Sequence, residues 1–533
     1  MESLDEATWD AVLYGTGLSQ SLLALALSRS NKRVLHLDPN DFYGENEAAL
    51  SLQEADAWAS AHAGTTEFTS TTSSSVDADP VGSSTKASGL NGTQANATSG
   101  IAASPFYQNA NTWKHPDAEA EGLSFPRAYS LALAPQIIYT KSKLLSQLVS
   151  SRAYRQVEFL AVGSFFVYGT GDAAAGTMVR RIPSSREDVF SAQSIPARSK
   201  RALMKFLKFV VDYDSEEQKP LWQGSAKELL SDYLVREFKL DVGLRDCILA
   251  LTLTLDGKIT LEDGLASIHR HLTSTGFFGP GFCAVYPKWG GLSEVAQVGC
   301  RAGAVGGGIY MLSTEASVVE NTKNNEISLG LSNGMSVRTT AFVSSQKSIS
   351  TTSQTVARLV AVVNSPLTSL FEKSIEGAPV PAVAVVAFPP SSLSSSSEPG
   401  LDVPIYAFVH SSDTGECPSG QSVVYLTMLA VPRASHILDS TLSTLIQASA
   451  PSTRVLYKLY YEQSASDSQA IVTPRDGATV FEFPSPSLGL SFDDASLNPV
   501  KEAWKLVMKG DASDDAYMMF EDREGMVDDE SFD

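Results

Sequence analysis

Apolar residues along the first forty positions form two short continuous runs with a helical spacing between them, and this pattern predicts a strand, a helix and a second strand. The apolar run Ala11–Tyr14 leads into a turn that contains Gly15 and Gly17, and the apolar run Val34–Leu37 ends at Asp38. Between these runs, leucines recur at the spacing of one helix face: Leu18, Leu22 and Leu25. This order is typical of the β-α-β unit that opens an α/β domain.

The middle of the chain, residues 140–275, has a helical period. Apolar positions recur every three or four residues there, for example at Leu203, Phe206, Leu207 and Val210. We interpret Ser225 to Glu228 as a capping box that starts a helix at Leu229, and Thr260 as the start of another helix. This pattern predicts an all-helical domain inserted after the first β-α-β unit.

Strand patterns return after about residue 300. Two alternating segments flank Asn333 and Gly334, which predicts a hairpin turn. Further strands are predicted at 383–388, 405–409, 423–431, 455–461 and 480–483, and a last helix at 499–508. Together with the first unit, these strands complete a discontinuous α/β domain.

The predicted elements give the following boundaries. Residues 1–62 and 105–139 form the first part of α/β domain I, 140–275 helical domain II, 276–508 the rest of domain I, and 509–533 an acidic tail. Residues 63–104 fit neither domain, since 17 of these 42 residues are Ser or Thr. Such a segment buries too little apolar surface to offset the entropy of ordering it, so we predict a disordered insertion.

The charge of the chain narrows the classes of partner. Its 60 acidic and 40 basic residues give a net charge of −20, and the segment 511–533 alone has ten acids and one arginine. Phosphate backbones are bound by clustered Lys and Arg, so a broad nucleic-acid surface is not expected. A basic partner segment fits this charge better.

The cysteines and the apolar segments indicate a cytoplasmic protein. Its four cysteines form no CxxC pair, which argues against a zinc site or a disulfide framework. The first ten residues lack the basic and apolar regions of a signal peptide, and no run of eighteen apolar residues exists. We expect the protein in the cytosol and transiently at membranes, with the nucleus as an alternative.

The turn at Gly15 and Gly17 is the strongest chemical motif. It follows a strand and opens a helix, and Asp38 follows Gly17 by 21 residues, as in a dinucleotide-binding fingerprint. The third glycine of that fingerprint is replaced by Gln20, which crowds the helix end where the phosphates would bind. We therefore favour a vestigial fingerprint that binds no cofactor, and a flavin or NAD enzyme is the alternative. No catalytic residues and no metal site are predicted.

Two blocks of sequence resemble the superfamily of Rab GDP-dissociation inhibitors and Rab escort proteins. The first comprises residues 12–18, 34–38 and 42–44, and the second comprises residues 287–301 and 307–312. That superfamily also has a residue other than glycine at the third fingerprint position. The resemblance implies a discontinuous FAD-binding-like, Rossmann-type domain with mixed β-sheets but without the flavin, together with an all-helical inserted domain.

The resemblance also implies a Rab-binding platform at Tyr43, Glu294, Arg301 and Met311. A tyrosine offers a rigid amphipathic contact, Arg and Glu offer charged hydrogen bonds, and a methionine offers an adaptable apolar contact. Ordinary roles stay open for each of them: Tyr43 and Met311 as packing residues, and Glu294 and Arg301 as a solvated helix face.

The length, the insertion and the acidic extension favour the escort branch of the superfamily. An escort protein binds GDP-bound Rab GTPases, presents them to the αβ heterodimer of Rab geranylgeranyltransferase, and carries the product with its geranylgeranyl lipid to membranes. Its role is accessory, and the helical insert accepts the lipid; Phe206, Leu207, Val210, Ile248 and Leu249 are candidates for either that cleft or a plain core. A recycling dissociation inhibitor is the nearest alternative, and a FAD-dependent oxidoreductase is a more distant one.

One position departs from the escort branch. That branch contacts the transferase through an aromatic side chain on a helix of the insert, near residues 260–272. Here the helix has Ile268, and the aromatic residues Phe277 and Phe278 follow in a Gly/Pro-rich loop. Either the contact has moved to the loop or the correspondence slips at this point.

Overall fold

The computed structural model describes residues 7–64, 104–169, 178–183, 189, 195–319, 325–347, 353–373, 375–390, 392–393, 401–466, 468–475 and 477–520. Most of the predicted insertion 63–104 and the second half of the predicted acidic tail, residues 521–533, therefore lie outside the described residues.

The helices, numbered along the chain, are α1 (Leu18–Arg29), α2 (Leu52–Ala61), α3 (Lys143–Ser150), α4 (Ala197–Val211), α5 (Lys219–Trp222), α6 (Leu230–Phe238), α7 (Val242–Thr252), α8 (Leu261–Ser274), α9 (Leu292–Val305), α10 (Ala434–Ser449) and α11 (Leu497–Met508).

The strands are β1 (Thr8–Trp9), β2 (Ala11–Tyr14), β3 (Val34–Leu37), β4 (Ala49–Leu50), β5 (Tyr107–Lys114), β6 (Leu131–Ala132), β7 (Ile138–Tyr139), β8 (Phe159–Tyr168), β9 (Val179–Arg181), β10 (Ala284–Pro287), β11 (Ile309–Met311), β12 (Ala316–Val319), β13 (Ile327–Leu331), β14 (Ser336–Thr339), β15 (Ala341–Ser345), β16 (Gln354–Val363), β17 (Val383–Phe388), β18 (Ile405–Ser411), β19 (Ser422–Leu429), β20 (Val455–Ala465), β21 (Ile471–Arg475) and β22 (Ala478–Phe483).

A six-stranded sheet in the order β11-β3-β2-β15-β22-β21 carries the β-α-β unit. Its first five strands are parallel and β21 is antiparallel to β22. Strands β2 and β3 are buried along their whole length, which explains why both consist of continuous apolar runs rather than an alternating pattern. Helices α1, α9 and α11 pack beside this sheet, and their apolar residues share one core with it.

A ten-stranded mixed sheet forms the second layer of domain I. Its order is β5-β20-β16-β19-β18-β17-β8-β10-β7, with β9 paired to β8. Helix α10 covers one face of this sheet, and the helices of the insert share a core with the other face. A four-stranded sheet, β1-β14-β13-β12, contains the predicted Asn333-Gly334 hairpin, and Gly334 adopts the positive φ of 85° that the turn requires. The predicted α/β class with mixed sheets and a helical insert is confirmed.

The helical insert comprises α4 to α8, and its core includes Leu203, Phe206 and Ile268. The expectation that residues 140–275 are helical throughout is wrong at 159–168 and at 179–181. There β8 pairs with both β17 and β10, and β9 pairs with β8, so both strands belong to the ten-stranded sheet. The domain boundaries themselves stay a prediction.

The predicted capping box at Ser225 is also wrong. Helix α6 begins at Leu230, and Leu229 before it is extended. The backbone of this stretch pairs with the segment before α8: Leu230 N–H donates to Ile259 O at 3.0 Å, and Leu261 N–H donates to Glu228 O at 2.7 Å. The Glu228 carboxylate forms an ion pair with Arg236 instead of capping the helix.

The described part of the acidic tail is folded against domain I. Tyr517 and Met518 are buried in the same core as Trp504 of α11. The Asp514 carboxylate forms ion pairs with Lys501 at 3.1 Å and Lys505 at 2.7 Å. Within the described residues, no helix combines the length and apolarity that are needed to cross a bilayer.

Candidate functional site

The fingerprint turn lies between β2 and α1 and is closed by Asp38. Thr16 donates to Asp38 Oδ2 through its N–H at 2.7 Å and through its Oγ1 at 2.6 Å, and Asn40 N–H donates to Asp38 Oδ1 at 2.8 Å. Burial raises the pKa of Asp38, against the effect of these hydrogen bonds. In a dinucleotide enzyme this carboxylate would bind a ribose hydroxyl. Here both of its oxygens are engaged by the chain itself.

Two carboxylates of the chain lie at the N-terminus of α1. Leu18 N–H donates to Glu47 Oε2 at 3.2 Å, and Gln20 Nε2 donates to Glu45 Oε2 at 3.1 Å. The Glu45 carboxylate lies directly over the turn: a Cβ atom at Gly15 would overlap it, and one at Gly17 would lie 2.9 Å from its Oε2. The φ of 94° at Gly15 favours glycine there, and the absence of side chains at both positions leaves room for Glu45.

These two carboxyl groups hold protons more tightly than usual. Glu45 and Glu47 are half-buried as residues, but their carboxyl groups lie among protein atoms. Burial, together with the nearby charges of Asp38 and Glu47, raises the pKa of Glu45 to about 8. Burial raises the pKa of Glu47 to about 7. Near neutral pH the pair therefore holds about one negative charge.

These residues do not fit a bound dinucleotide. The backbone N–H groups that would bind its diphosphate face Glu45 and Glu47, and a second negative group there would be repelled. The space left beside Gly17, Gln20 and Ser345 is about 90 Å³. Pockets that hold organic ligands are typically larger than roughly 300 Å³.

The role of Gln20 differs from the sequence-based expectation. It does not act by crowding alone, because its side-chain amide donates both to Glu45 and, at 2.5 Å, to Ser345 Oγ. Sequence reasoning missed the two glutamates. The signal was the acidic run Glu45-Asn46-Glu47 directly after Tyr43 and Gly44.

Tyr43 lies on the loop that joins β3 to β4 and is half-buried. Gly44, with a φ of 107°, packs closely on Ala48 and on Ser293 of α9. Burial raises the pKa of the Tyr43 phenol, with smaller contributions from Cys300 and Asp38. Tyr43 is thus held near α9.

Glu294 and Arg301 are partners on α9. Arg301 Nη2 donates to Glu294 Oε1 at 2.5 Å; the Glu294 side chain is 14% exposed and that of Arg301 is 54% exposed. Burial raises the pKa of Glu294, and Arg301 opposes this effect. The pair is not an ordinary solvated face, since a mostly buried carboxylate orients an exposed guanidinium.

Met311 ends β11 at the edge of the six-stranded sheet. It is aligned with Leu37 of β3, and its carbonyl accepts a hydrogen bond from Asp38 N–H at 2.9 Å. Cys300 and Tyr310, which precede Arg301 and Met311, both interact electrostatically with Tyr43. The structure therefore brings the β3 loop, α9 and β11 together, although only Glu294 and Arg301 are joined directly.

The glycine-rich stretch after Glu294 is used for close packing. A Cβ atom at Gly299 would lie 3.2 Å from Ser21 O, and one at Gly306 would lie 3.0 Å from the Ser28 side chain. Glycines on this face let α9 approach α1 closely. Helix α9, which carries Glu294 and Arg301, is therefore packed closely against α1.

The insert provides a core and an exposed aromatic pair. Phe206, Leu207, Val210 and Ile248 are buried and Leu249 partly so, which makes them core residues here. Ile268 is fully buried and cannot contact a partner. Phe277 and Phe278, directly after α8, are 55% and 58% exposed, and their rings lie 5.1 Å apart.

Comparison with known proteins assigns the family. The profile described as GDP dissociation inhibitor matches residues 4–79 and 93–376. The chain is 28% identical over 495 residues to the Rab proteins geranylgeranyltransferase component A of Saccharomyces cerevisiae, covering 91% of this chain and 71% of that protein. It is 26% identical to Rab escort protein 1 of Arabidopsis thaliana, covering 95% and 93%.

Solved structures agree on the fold. The Rab GDI of Plasmodium falciparum has a TM-score of 0.63 at 16% identity, covering 94% of this chain and 98% of that one. An oxidoreductase of Methanosarcina mazei has a TM-score of 0.50 at 12% identity, covering 91% and 99%. The fold is thus shared with an oxidoreductase.

Proposed function

The chain belongs to the GDP dissociation inhibitor family, and we propose that it acts within this family as an escort protein for Rab GTPases. In this role it binds GDP-bound Rab, presents it to the catalytic heterodimer of Rab geranylgeranyltransferase, and delivers the prenylated product with its geranylgeranyl lipid to membranes. Relatives named as component A of that transferase, matched over most of the chain, support this choice over a recycling inhibitor. The cytoplasmic location stays a prediction.

The oriented Arg301 guanidinium is the observation that carries Rab binding. Glu294 Oε1 accepts a hydrogen bond from Arg301 Nη2, and more than half of the Arg301 side chain is exposed. A guanidinium held in this way offers several donors to backbone carbonyls or carboxylates of a partner, at little further cost in side-chain entropy. Tyr43 and Met311 add apolar contact area around it.

We propose an accessory role without a catalytic group. Prenyl transfer needs a metal ion that activates the thiol of the acceptor protein, and a site for the isoprenoid diphosphate. The four cysteines of this chain are buried, and burial raises the pKa of each thiol to about 12, which disfavours the thiolate that would bind such a metal ion. Among the described residues, no group of His, Cys, Asp and Glu is arranged to hold a metal ion.

We also propose that Phe277 and Phe278 provide the contact with the transferase. Two adjacent aromatic rings that are each more than half exposed are costly to leave in water and are typical centres of interfaces. Lys141 Nζ lies 5.6 Å from the centre of the Phe277 ring and adds a positive charge at its rim. Because Ile268 is buried, the loop that carries Phe277 and Phe278 provides the exposed aromatic surface at this end of α8.

A reconstitution assay tests the proposed function. Rab–GDP, geranylgeranyl diphosphate and the transferase heterodimer are combined with and without this protein, and lipid incorporation is measured. We expect prenylated Rab only when both the heterodimer and this protein are present. Prenylation without the heterodimer would contradict the accessory role, and full prenylation by the heterodimer alone would contradict the escort role. Rab binding without stimulated prenylation would identify a recycling inhibitor.

A further inference from the structure

The loop after Tyr43 is anchored to the fingerprint turn at three successive points. Gly44 N–H donates to Thr16 Oγ1 at 3.0 Å, Glu45 accepts from Gln20, and Glu47 accepts from Leu18 N–H. Two of these anchors lie where a dinucleotide-binding turn would hold a diphosphate between its glycines and the helix N-terminus. The N-terminus of α1 is therefore occupied by the acidic side chains of Glu45 and Glu47 rather than by a bound anion.

The residue between the two glutamates connects the loop to a buried cation. Asn46 O accepts a hydrogen bond from Tyr107 Oη at 3.0 Å, and Tyr107 Oη accepts one from Gln463 Nε2 at 3.4 Å. Gln463 Oε1 in turn accepts from Arg358 Nε at 2.9 Å. Arg358 is 1% exposed, and in the described part of the chain it forms no ion pair; it donates to the neutral acceptors Gln463, Thr427 Oγ1 and Leu488 O. The loop is thus also tied to the centre of the ten-stranded sheet.

Tyr43 has no comparable anchor of its own. Within the described residues its hydroxyl makes no hydrogen bond, so its position depends on the backbone on either side. Asp38 fixes the backbone before Tyr43, and Gly44, Glu45 and Glu47 fix the backbone after it. Removal of the Glu45 and Glu47 carboxylates would release the backbone that follows Tyr43.

We propose that Glu45 and Glu47 are positioning residues that replace a dinucleotide diphosphate at the N-terminus of α1 and thereby hold Tyr43 in its binding position. The part that concerns Tyr43 rests on the proposed function in Rab binding, whereas the replacement of the diphosphate does not. The turn that would bind a cofactor diphosphate in an enzyme here binds two acidic side chains of the same chain, and these hold the loop that carries Tyr43.

Anion rescue of the full-length Glu45→Ala/Glu47→Ala variant tests the proposal. Truncation enlarges the cavity of about 90 Å³ beside Gly17 and frees the Leu18 N–H. We expect inorganic pyrophosphate to raise the melting temperature of this variant by about 2 °C, because a ligand that binds only the folded state stabilises it. It should leave the wild-type protein unchanged, since the carboxylates fill the site. Equal responses, including no response in either protein, would overturn the proposal.

The second readout is affinity for Rab–GDP. We expect the alanine variant to bind about tenfold more weakly, and pyrophosphate to restore part of the loss. Glu45→Gln/Glu47→Gln keeps the shape and the accepting oxygens, so it should bind Rab nearly normally and show no response to pyrophosphate. This conservative variant also preserves the test if the alanine variant does not fold: a pyrophosphate response in it would contradict the proposal.

Glu54→Ala is the matched control. Glu54 closes the capping box of α2 by accepting from Ser51 N–H at 2.7 Å, so its loss also weakens a helix N-terminus. Pyrophosphate should not raise the melting temperature of this variant. If it does, the response of the Glu45→Ala/Glu47→Ala variant reflects general anion binding. If the wild-type protein does not bind Rab–GDP at all, the proposed function fails, while the melting experiment still decides the replacement of the diphosphate.

Discussion

Arg301 Nη2 donates a 2.5 Å hydrogen bond to Glu294 Oε1 two helical turns earlier on α9. The two side chains differ in environment, since that of Glu294 is 14% exposed and that of Arg301 is 54% exposed. An exposed ion pair would contribute little to stability. The hydrogen bond to Glu294 instead orients the Arg301 guanidinium, and this suits binding of a partner better than it suits stabilisation of the fold.

Arg301→Ala should weaken binding of Rab–GDP by about 10- to 100-fold, because charged anchors near an interface centre often contribute about 2 kcal/mol or more. The melting temperature should fall only modestly, because Arg301 is mostly exposed although its loss leaves the mostly buried Glu294 carboxylate without its partner. Titration calorimetry measures the affinity, and Arg198→Ala, at an exposed arginine on α4, is the control. Equal affinities of the two variants would show that Arg301 lies outside the interface.

Phe277→Ala/Phe278→Ala should reduce binding to the transferase heterodimer by at least about tenfold and leave Rab–GDP binding unchanged. The two rings are exposed and lie on the loop between α8 and β10, outside the elements that carry Tyr43, Arg301 and Met311. A pull-down of the heterodimer by the complex with Rab measures the effect. Phe125→Ala, which removes another exposed phenylalanine, is the matched control, and identical retention of both variants would remove the loop from the contact.

The purified protein should contain no dinucleotide. Glu45 and Glu47 fill the position of the diphosphate, and Asp38 is engaged by Thr16 and Asn40. Denaturation followed by absorbance and chromatography of the supernatant measures any released FAD or NAD. A stoichiometric amount of either would contradict both the vestigial fingerprint and the replacement of the diphosphate.

Local sequence patterns predicted much of the fold. The unit Ala11–Tyr14, Leu18–Arg29, Val34–Leu37 was predictable because its strands are short apolar runs and its helix repeats leucine at a helical spacing, with glycine or a charged residue between them. The strand at Val383–Phe388 was likewise predictable as a short buried apolar run. These elements depend mainly on interactions that their own residues specify.

The misses have long-range causes. Strand β8 was missed because a short apolar run does not distinguish a strand from a buried helix, and its partners β10 and β17 lie more than a hundred residues away. The capping box at Ser225 failed because the segment before α8 competes for its backbone. The function of Glu45 depends on contacts with Gln20 and Ser345, which no local pattern contains.

Deletion of residues 66–102 should change the melting temperature by less than about 2 °C. The described ends of this segment already meet, because Ser104 N–H donates to His62 Nε2 at 2.8 Å and Ala110 N–H donates to His62 O at 3.1 Å. A short linker can therefore join them without strain. Calorimetry of the deletion protein measures the change, and a large decrease would show that the segment packs on the rest of the chain.

The stability of the protein should fall as the pH rises from about 6 to about 9. The pKa of Glu45 rises from 4.5 to about 8 on folding and that of Glu47 from 4.5 to about 7, so the folded state binds more protons than the unfolded state in this range. The stability from the protonated carboxyls is complete below pH 4.5 and is lost as both groups ionise. Asp38 is the other acid facing Glu45, and its charge adds to the repulsion.

Unfolding by denaturant should show a loss of up to about 4 kcal/mol over that pH interval, of which Glu45 contributes about two thirds and Glu47 about one third. Glu45→Gln/Glu47→Gln cannot ionise at these positions, so its stability should vary less over the same interval. The difference between the two proteins removes the effects of all other titrating groups, including the buried His36 and His271, whose pKa values burial lowers to about 4. If the two stability profiles run parallel from pH 6 to pH 9, the carboxyls at the α1 N-terminus are already ionised in the folded protein and the replacement holds two charges rather than one.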